Sequence, residues 1–299
     1  MTSGRAPGWR PGDVEVIRQV QGRQGRGGAR GSALEVVVGA TAFLLGVGGT
    51  LAARSLLRGA GVSAADARRV DAVPALAPAA LVWLGPVSAA QVAGADLPGV
   101  RTVHLPCTGD GRPSCGGLAD GWLDGGRRLP GLRRALRLPE GPLVLAAFSA
   151  GGHIVRRLCA DARDRAEIAA VLLCDATYST TRDAAGRVQP LPEIVAYGRE
   201  ALGGARLLVA TASTSPNKTY PTGQQTLEAI RDAIAAGEAG EARAPAGVPA
   251  PEWTWRRGGV VLLGYGGRHT HAAHATALAR PLVEHIIRPR FGGQERNEA

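Results

Sequence analysis

Short apolar runs recur along the chain from about residue 76, each bounded by glycine, proline or polar residues. They are AALVWLG (79–85), GVRTVHLP (99–106), PLVLAAF (142–148), IAAVLLCD (168–175), ARLLVATA (205–212) and GGVVLLGY (258–265). Each has the length of a strand, and its apolar character is nearly continuous rather than alternating, which suits a strand covered on both faces. Helix-periodic stretches lie between the runs: GHIVRRLCADARDRAEI after the third, QQTLEAIRDAIAAGEA after the fifth and ATALARPLVEHIIRPRF after the last. Strands alternating with helices predict an α/β domain with a mainly parallel, doubly wound sheet in three layers, spanning residues 76–290. Residues 236–252, rich in Ala, Pro and Gly, read as a surface connector, and residues 291–299 as a disordered tail.

The amino-terminal part has a different pattern. Residues 1–31 are rich in Arg and Gly and poor in apolar side chains, a disordered basic tail. Residues 36–53 carry no charge and Arg54 and Arg58 follow. Eighteen such residues suffice for a helix to cross the hydrocarbon core, so residues 32–58 are expected to hold a single transmembrane helix, with 59–75 as linker. A cleaved signal peptide fits less well, because the apolar run begins too far into the chain. Six arginines precede this segment while Arg54, Arg58, Arg68 and Arg69 follow it, which by the positive-inside rule favours an exported domain. Ala42, Gly46 and Thr50 share a helical face at four-residue spacing, a pattern that lets two such helices pair as a homodimer.

Composition adds less. At 299 residues and 45% apolar content the chain can bury one sizeable core. A net charge of +10 invites a nucleic-acid reading, but the arginines are scattered and no zinc-finger or RNA-binding signature is present. No nucleic-acid partner is expected, and the Ala, Gly and Arg bias is that of GC-rich bacterial coding. Cys159 and Cys174 sit in apolar stretches as core thiols. Cys107 and Cys115 flank a polar loop at a spacing wrong for a zinc site; they are either two unrelated thiols or a local disulfide of an exported domain.

Chemistry is suggested by what directly follows each strand, since ligands of an open parallel sheet bind beyond the strands' carboxyl ends. The third run ends in Ala147-Phe148-Ser149-Ala150-Gly151-Gly152. A serine on a tight strand-to-helix turn needs small residues two before and two after it, and Ala147 and Gly151 meet that need. The fourth run ends in Asp175. The loop after the last run holds His269, His271 and His274, three of the six histidines in the chain. His271 is the first choice as a base, because it lies just before the helix; His274 is the alternative and His269 the third. A metal site is the rival reading of these histidines, but no HExxH arrangement or nearby carboxylate accompanies them. Two polar stretches on the same edge, 107–134 with Trp122, Asp124, Arg127 and Arg128, and 213–225 with Lys218 and Tyr220, are candidates to frame a pocket.

This order of elements resembles the α/β-hydrolase fold, with Ser149 at its nucleophile elbow, Asp175 as acid and His271 as base. The resemblance implies a serine hydrolase (esterase- or amidase-like) that opens an ester, amide or related acyl bond through an acyl-serine, with a small-molecule or acyl substrate. It requires no metal and no cofactor. It further implies a backbone oxyanion donor at Ala150 and a second from the loop after the first strand, where Pro86 leaves Gly85 or Val87. The chain departs from the family in Ala147 at the first elbow position and in having no acid after the fifth run, where the family more usually places it. The other reading is a non-catalytic, membrane-tethered protein that keeps the sheet without the chemistry.

Overall fold

The computed structural model describes residues 78–107, 114–216 and 220–291. All of them belong to one unit of the chain. The expected membrane span at 36–53 lies outside the described residues, as do the basic tail, the linker and Lys218. Among the described residues no helix is long and apolar enough to cross a membrane.

Each of the six apolar runs forms a strand: β1 (Ala80–Gly85), β2 (Arg101–Pro106), β3 (Leu143–Phe148), β4 (Ile168–Cys174), β5 (Leu207–Ser213) and β7 (Val260–Gly266). With β6 (Trp253–Arg257) they make a seven-stranded sheet in the order β2-β1-β3-β4-β5-β7-β6. Every pairing is parallel except β6 with β7.

Continuous apolar strands are explained by cover on both faces. On β1, Val82 and Leu84 join a core that includes Leu132, Ile154, Leu158, Tyr197 and Leu227, from the helices Leu129–Leu136, Gly152–Cys159, Pro192–Ala201 and Gly223–Ala235. Leu81 and Trp83 point the other way, into a core with Phe148, Leu172, Tyr265, Leu278 and Leu282. That second face is closed by the turns around Val87–Leu97 and by the last helical segment, in which His274–Leu278 and Val283–Ile287 have π geometry and Ala279–Leu282 and Arg288–Phe291 are α.

Three elements differ from the sequence reading. The strand β6 follows directly on the stretch read as a connector and forms a hairpin with β7, Arg257 facing Val260 across Gly258-Gly259. A Gly-Gly pair between two runs is a hairpin signal, but WTWRR is short, charged and half-exposed and does not read as a strand alone. The Pro192–Ala201 helix was not anticipated; its proline occupies the first turn, where no N–H is needed. Phe291, assigned to the tail, instead closes the final helix and is buried.

Where it is described, the stretch 107–134 is largely helical and internally tied. It forms the helices Cys115–Asp120 and Leu129–Leu136, and Trp122 is buried between core groups. Asp164, fully buried, accepts from Arg127 Nε at 2.7 Å and from the backbone N–H groups of Arg128 (2.8 Å) and Leu129 (3.2 Å). It thereby caps the Leu129–Leu136 helix and neutralises Arg127 in one contact. Asp124 pairs with Arg134 at 3.0 Å and Arg128 with Asp120 at 3.3 Å, so these side chains hold the helices to one another.

Cys107 and Cys115 are joined in a disulfide, with Cα atoms 5.1 Å apart. Cys159 and Cys174 are free and buried as expected, and burial raises both thiols, Cys159 to about 12.

Candidate active site

The strand order reverses between β1 and β3, which places a crevice beyond the carboxyl ends of these two strands. Ser149 stands at that point. It follows β3, opens a one-turn 3-10 helix (Ser149–Gly151) and leads into the Gly152–Cys159 helix. Its φ is 53°, in the left-handed region, while Phe148 before it is extended at −117°. For a residue with a Cβ that conformation costs roughly 1–2 kcal/mol. It is the geometry of a sharp elbow that lifts a side chain off the strand, and Ser149 is correspondingly only half-buried.

The elbow is held by close backbone approach. A Cβ on Gly151 would lie 2.1 Å from the Leu84 carbonyl oxygen, and one on Gly152 2.0 Å from that of Ala176. The two glycines thus let the turn settle between the ends of β1 and β4. Ala147 is fully buried in the sheet, where its methyl group is accommodated. The Ala150 N–H belongs to the first turn, which has no intrahelical acceptor for it. The other candidate region is partly closed. Val87 N–H donates to Gly85 O at 2.8 Å and Ser88 N–H to Gln91 Oε1 at 2.8 Å, so the Val87 N–H is already engaged.

Asp175 follows β4 with φ 44° and is fully buried. Its Oδ1 accepts from Ser213 N–H at 3.1 Å; its Oδ2 accepts from the Ser213 hydroxyl at 2.5 Å and from His271 Nδ1 at 2.9 Å. Burial alone pushes the carboxyl up, but the bond from His271, the nearby His274 and the two Ser213 donors outweigh it and hold the pKa below 3.8. The group is ionised at neutral pH. A Cβ at Gly223 would meet Oδ1 at 2.4 Å, so the helix that begins there can approach only as glycine.

His271 reaches this carboxylate from the loop after β7. Its ring stacks on Phe148, centroids 4.6 Å apart and planes 26° from parallel, and Tyr178 meets it edge-on at 6.1 Å with its hydroxyl 3.1 Å from Nδ1. With Asp175 as acceptor the imidazole carries its proton on Nδ1, leaving Nε2 as a lone-pair base on the opposite side of the ring. The structure therefore joins Asp175 to His271 by a hydrogen bond, and brings His271 to the elbow through Phe148, the residue before Ser149. Among the described residues the Ser149 hydroxyl itself makes no hydrogen bond to either.

The other two histidines of the loop point elsewhere. His274 is fully buried, its Nδ1 2.7 Å from Thr211 Oγ1 and its ring edge-on to Tyr265. Burial lowers its pKa to about 4, so it stays neutral near pH 7, and its Nδ1 meets the Thr211 hydroxyl rather than a carboxylate. His269 packs edge-on against Tyr265. Only His271 meets a carboxylate, His269 and His274 sharing Tyr265 instead, and among the described residues no group of three or more His, Cys, Asp or Glu is arranged to hold a metal ion.

Sequence reasoning missed Phe148, Tyr178 and Ser213. Ser213 offered a signal: it ends β5 at the edge where the missing acid was sought. Phe148 and Tyr178 flank Ser149 and Asp175 in the sequence, but nothing local says that both rings turn toward a histidine roughly a hundred positions on.

No protein-family model matches the chain, and no curated protein matches it. Among solved structures it is similar to a thermophilic esterase from the planctomycete Thermogutta terrifontis, determined with butyrate bound. The two are 17% identical over 72% of this chain and 81% of that one, with a TM-score of 0.39.

Proposed function

We propose that this chain is a serine hydrolase that cleaves an ester, amide or related acyl bond through an acyl-enzyme on Ser149. The observation that carries the reading is the imidazole of His271. It is bonded to an ionised, buried carboxylate through Nδ1 and stacked on the residue adjoining a left-handed, part-exposed serine. Bonds to the nucleophile are often long in an unliganded site and tighten when substrate is bound.

In this mechanism Ser149 Oγ attacks the acyl carbon while His271 Nε2 takes its proton. Asp175 holds the imidazole in the Nδ1–H tautomer and stabilises the imidazolium. The Ala150 N–H donates to the oxyanion of the tetrahedral intermediate. Collapse breaks the bond to the leaving group, which departs with the proton from Nε2. Water then attacks the acyl-serine, gives its proton to Nε2, and the second collapse returns that proton to Ser149 and releases the acid. Read with the apolar stretch at 36–53, the domain is a tethered hydrolase on the exported side of a membrane. The Cys107–Cys115 disulfide supports that placement, since such bonds persist in oxidising compartments.

The test is covalent labelling with a fluorophosphonate. Labelling of the folded protein at Ser149, lost in Ser149→Ala and in His271→Ala, is the expected result. A folded protein that takes no label favours the non-catalytic scaffold and ends the hydrolase reading.

A further inference from the structure

We propose that His274, moored to Thr211, is a positioning residue that fixes where the turn carrying His271 meets Asp175. The inference rests on the reading of His271 as the base, and it gives a role to an imidazole that the mechanism leaves unused. His271 arrives on the loop between β7 and the last helical segment. The bond from its Nδ1 to Asp175 and the stack on Phe148 hold the ring, but not the backbone behind it. That backbone is tied to His274, whose N–H donates to the His271 carbonyl oxygen at 3.2 Å, so the two histidines end one turn. The His274 side chain is fully buried, with Nδ1 2.7 Å from Thr211 Oγ1 and the ring edge-on to Tyr265 at 5.6 Å.

Thr211 is a rigid mooring point. It pairs with Cys174 in the ladder between β4 and β5, and its carbonyl oxygen accepts the N–H of Asp175 at 3.0 Å. One residue thus holds the acid through its backbone and the turn of the base through its side chain. Packing alone gives no reason for an imidazole at this position. Ala275 and Leu278, which follow it, belong to the apolar core, and among the described residues His274 Nε2 is buried without a hydrogen-bond partner. Whichever tautomer the ring holds, one nitrogen is bonded and the other is desolvated, a cost that an apolar side chain of similar size avoids. What the imidazole supplies instead is a directional bond from the turn to β5, which an apolar contact lacks.

The test compares, in the full-length protein, Thr211→Val, which keeps the shape and removes the hydroxyl, with Thr211→Ser, which keeps the hydroxyl. Nitrogen NMR of histidine-labelled samples in mildly alkaline solution, with His271→Ala to assign the signal, reads the contact with Asp175 directly. His271 should hold the single Nδ1–H form in the wild type and in Thr211→Ser, and a mixture of both tautomers in Thr211→Val. Fluorophosphonate labelling of Ser149 should fall roughly 10- to 100-fold in Thr211→Val, the scale of an ångström-sized misplacement, and return with Thr211→Ser. The double variant Thr211→Val/His274→Phe separates positioning from stability: with both partners apolar, its urea midpoint should lie near that of the wild type while labelling stays low. If Thr211→Val does not fold, the double variant carries the comparison. A folded Thr211→Val protein whose His271 keeps the single Nδ1–H form overturns the proposal. So does a double variant that labels at the wild-type rate, since packing would then suffice. A wild-type protein that takes no label ends the hydrolase reading alone, because the tautomer comparison still decides the role of His274.

Discussion

Asp175→Asn probes the site at its most constrained atom. The carboxylate oxygens accept from Ser213 N–H on one side and from the Ser213 hydroxyl and His271 Nδ1–H on the other. An amide keeps one acceptor and turns the other position into a donor. With its oxygen under Ser213 N–H, the amide NH2 faces the Ser213 hydroxyl, which can rotate to accept, and His271 Nδ1. That nitrogen accepts only if its proton moves to Nε2, and an imidazole protonated on Nε2 cannot take the proton of Ser149. The reverse orientation sets the NH2 against the Ser213 N–H, two buried donors face to face, at a cost of about 1–3 kcal/mol. The first arrangement is therefore preferred and the tautomer is lost. In serine-protease triads this replacement lowers kcat on the order of 10⁴ with the geometry intact, and a loss of that order is expected in the labelling rate here.

Stability should fall as well. Read from the sequence, Asp175 sits at a sheet edge, and a surface change of that kind costs under about 1 kcal/mol. Its complete burial revises this expectation. Hydrogen bonds to a charged partner contribute about 1.5–3 kcal/mol each against about 0.5–1.5 for neutral ones, so the net loss at neutral pH is about 1–3 kcal/mol. The pH dependence has a definite sign. The folded pKa of Asp175 is depressed below 3.8, so the wild-type advantage is complete above the unfolded value and lost as pH falls through the folded one. Asparagine binds no proton in that range. Urea unfolding of both proteins at neutral pH and at about pH 3, the region of the carboxylate pKa, should therefore show a gap that narrows on acidification. Labelling of Asp175→Asn at the wild-type rate refutes the tautomer argument, and a gap of equal size at both pH values refutes the assignment of stability to the ionised carboxylate.

Gly151→Ala would set a methyl group 2.1 Å from the Leu84 carbonyl oxygen and 2.9 Å from Gly85 Cα, both rigid backbone. The urea midpoint should correspond to a loss at the upper end of about 1–3 kcal/mol, with labelling of Ser149 abolished; a stable, fully labelled variant would refute the close-approach account of the elbow. Cys107→Ser opens a loop closed across eight positions, worth about 2.5 kcal/mol on the chain-entropy scale. Thiol titration of the unfolded, unreduced wild type should find only Cys159 and Cys174, and four reactive thiols would remove the disulfide from the account.

Much of this architecture can be read from the chain because strands covered on both faces carry their signal locally. Leu81 and Trp83 face one core while Val82 and Leu84 face the other, so β1 has no polar position to disguise it. The edge strand β6 lacks that property, with only Trp255 of its five residues buried. The polar stretch 107–134 misleads for a related reason: Asp164, more than thirty positions away, turns its arginines and free N–H groups into internal contacts. Of the candidate site, Ser149 and Asp175 stand out in the sequence because each directly follows a strand, and His271 because it lies in the loop after the last one. What discriminates His271 from His274 is which imidazole meets a carboxylate and which meets Thr211, and that depends on register between β4, β5 and β7.

The same register explains how a carboxylate one strand early can meet His271. Asp175 leaves β4 and His271 arrives from beyond β7, so the end of β5 lies between them and must be crossed. A carboxylate at that end, where the resembled family more usually carries its acid, would face Asp175 across a hydrogen-bond distance, and two such groups cannot both stay ionised. Ser213 fills the gap with two donors instead, its amide on one oxygen and its hydroxyl on the other. The left-handed backbone at Asp175 and the glycine at position 223 give the side chain room to reach across β5. The buried carboxylate of Asp175 thus draws its hydrogen bonds from a neutral neighbour, where a second carboxylate would have opposed its charge.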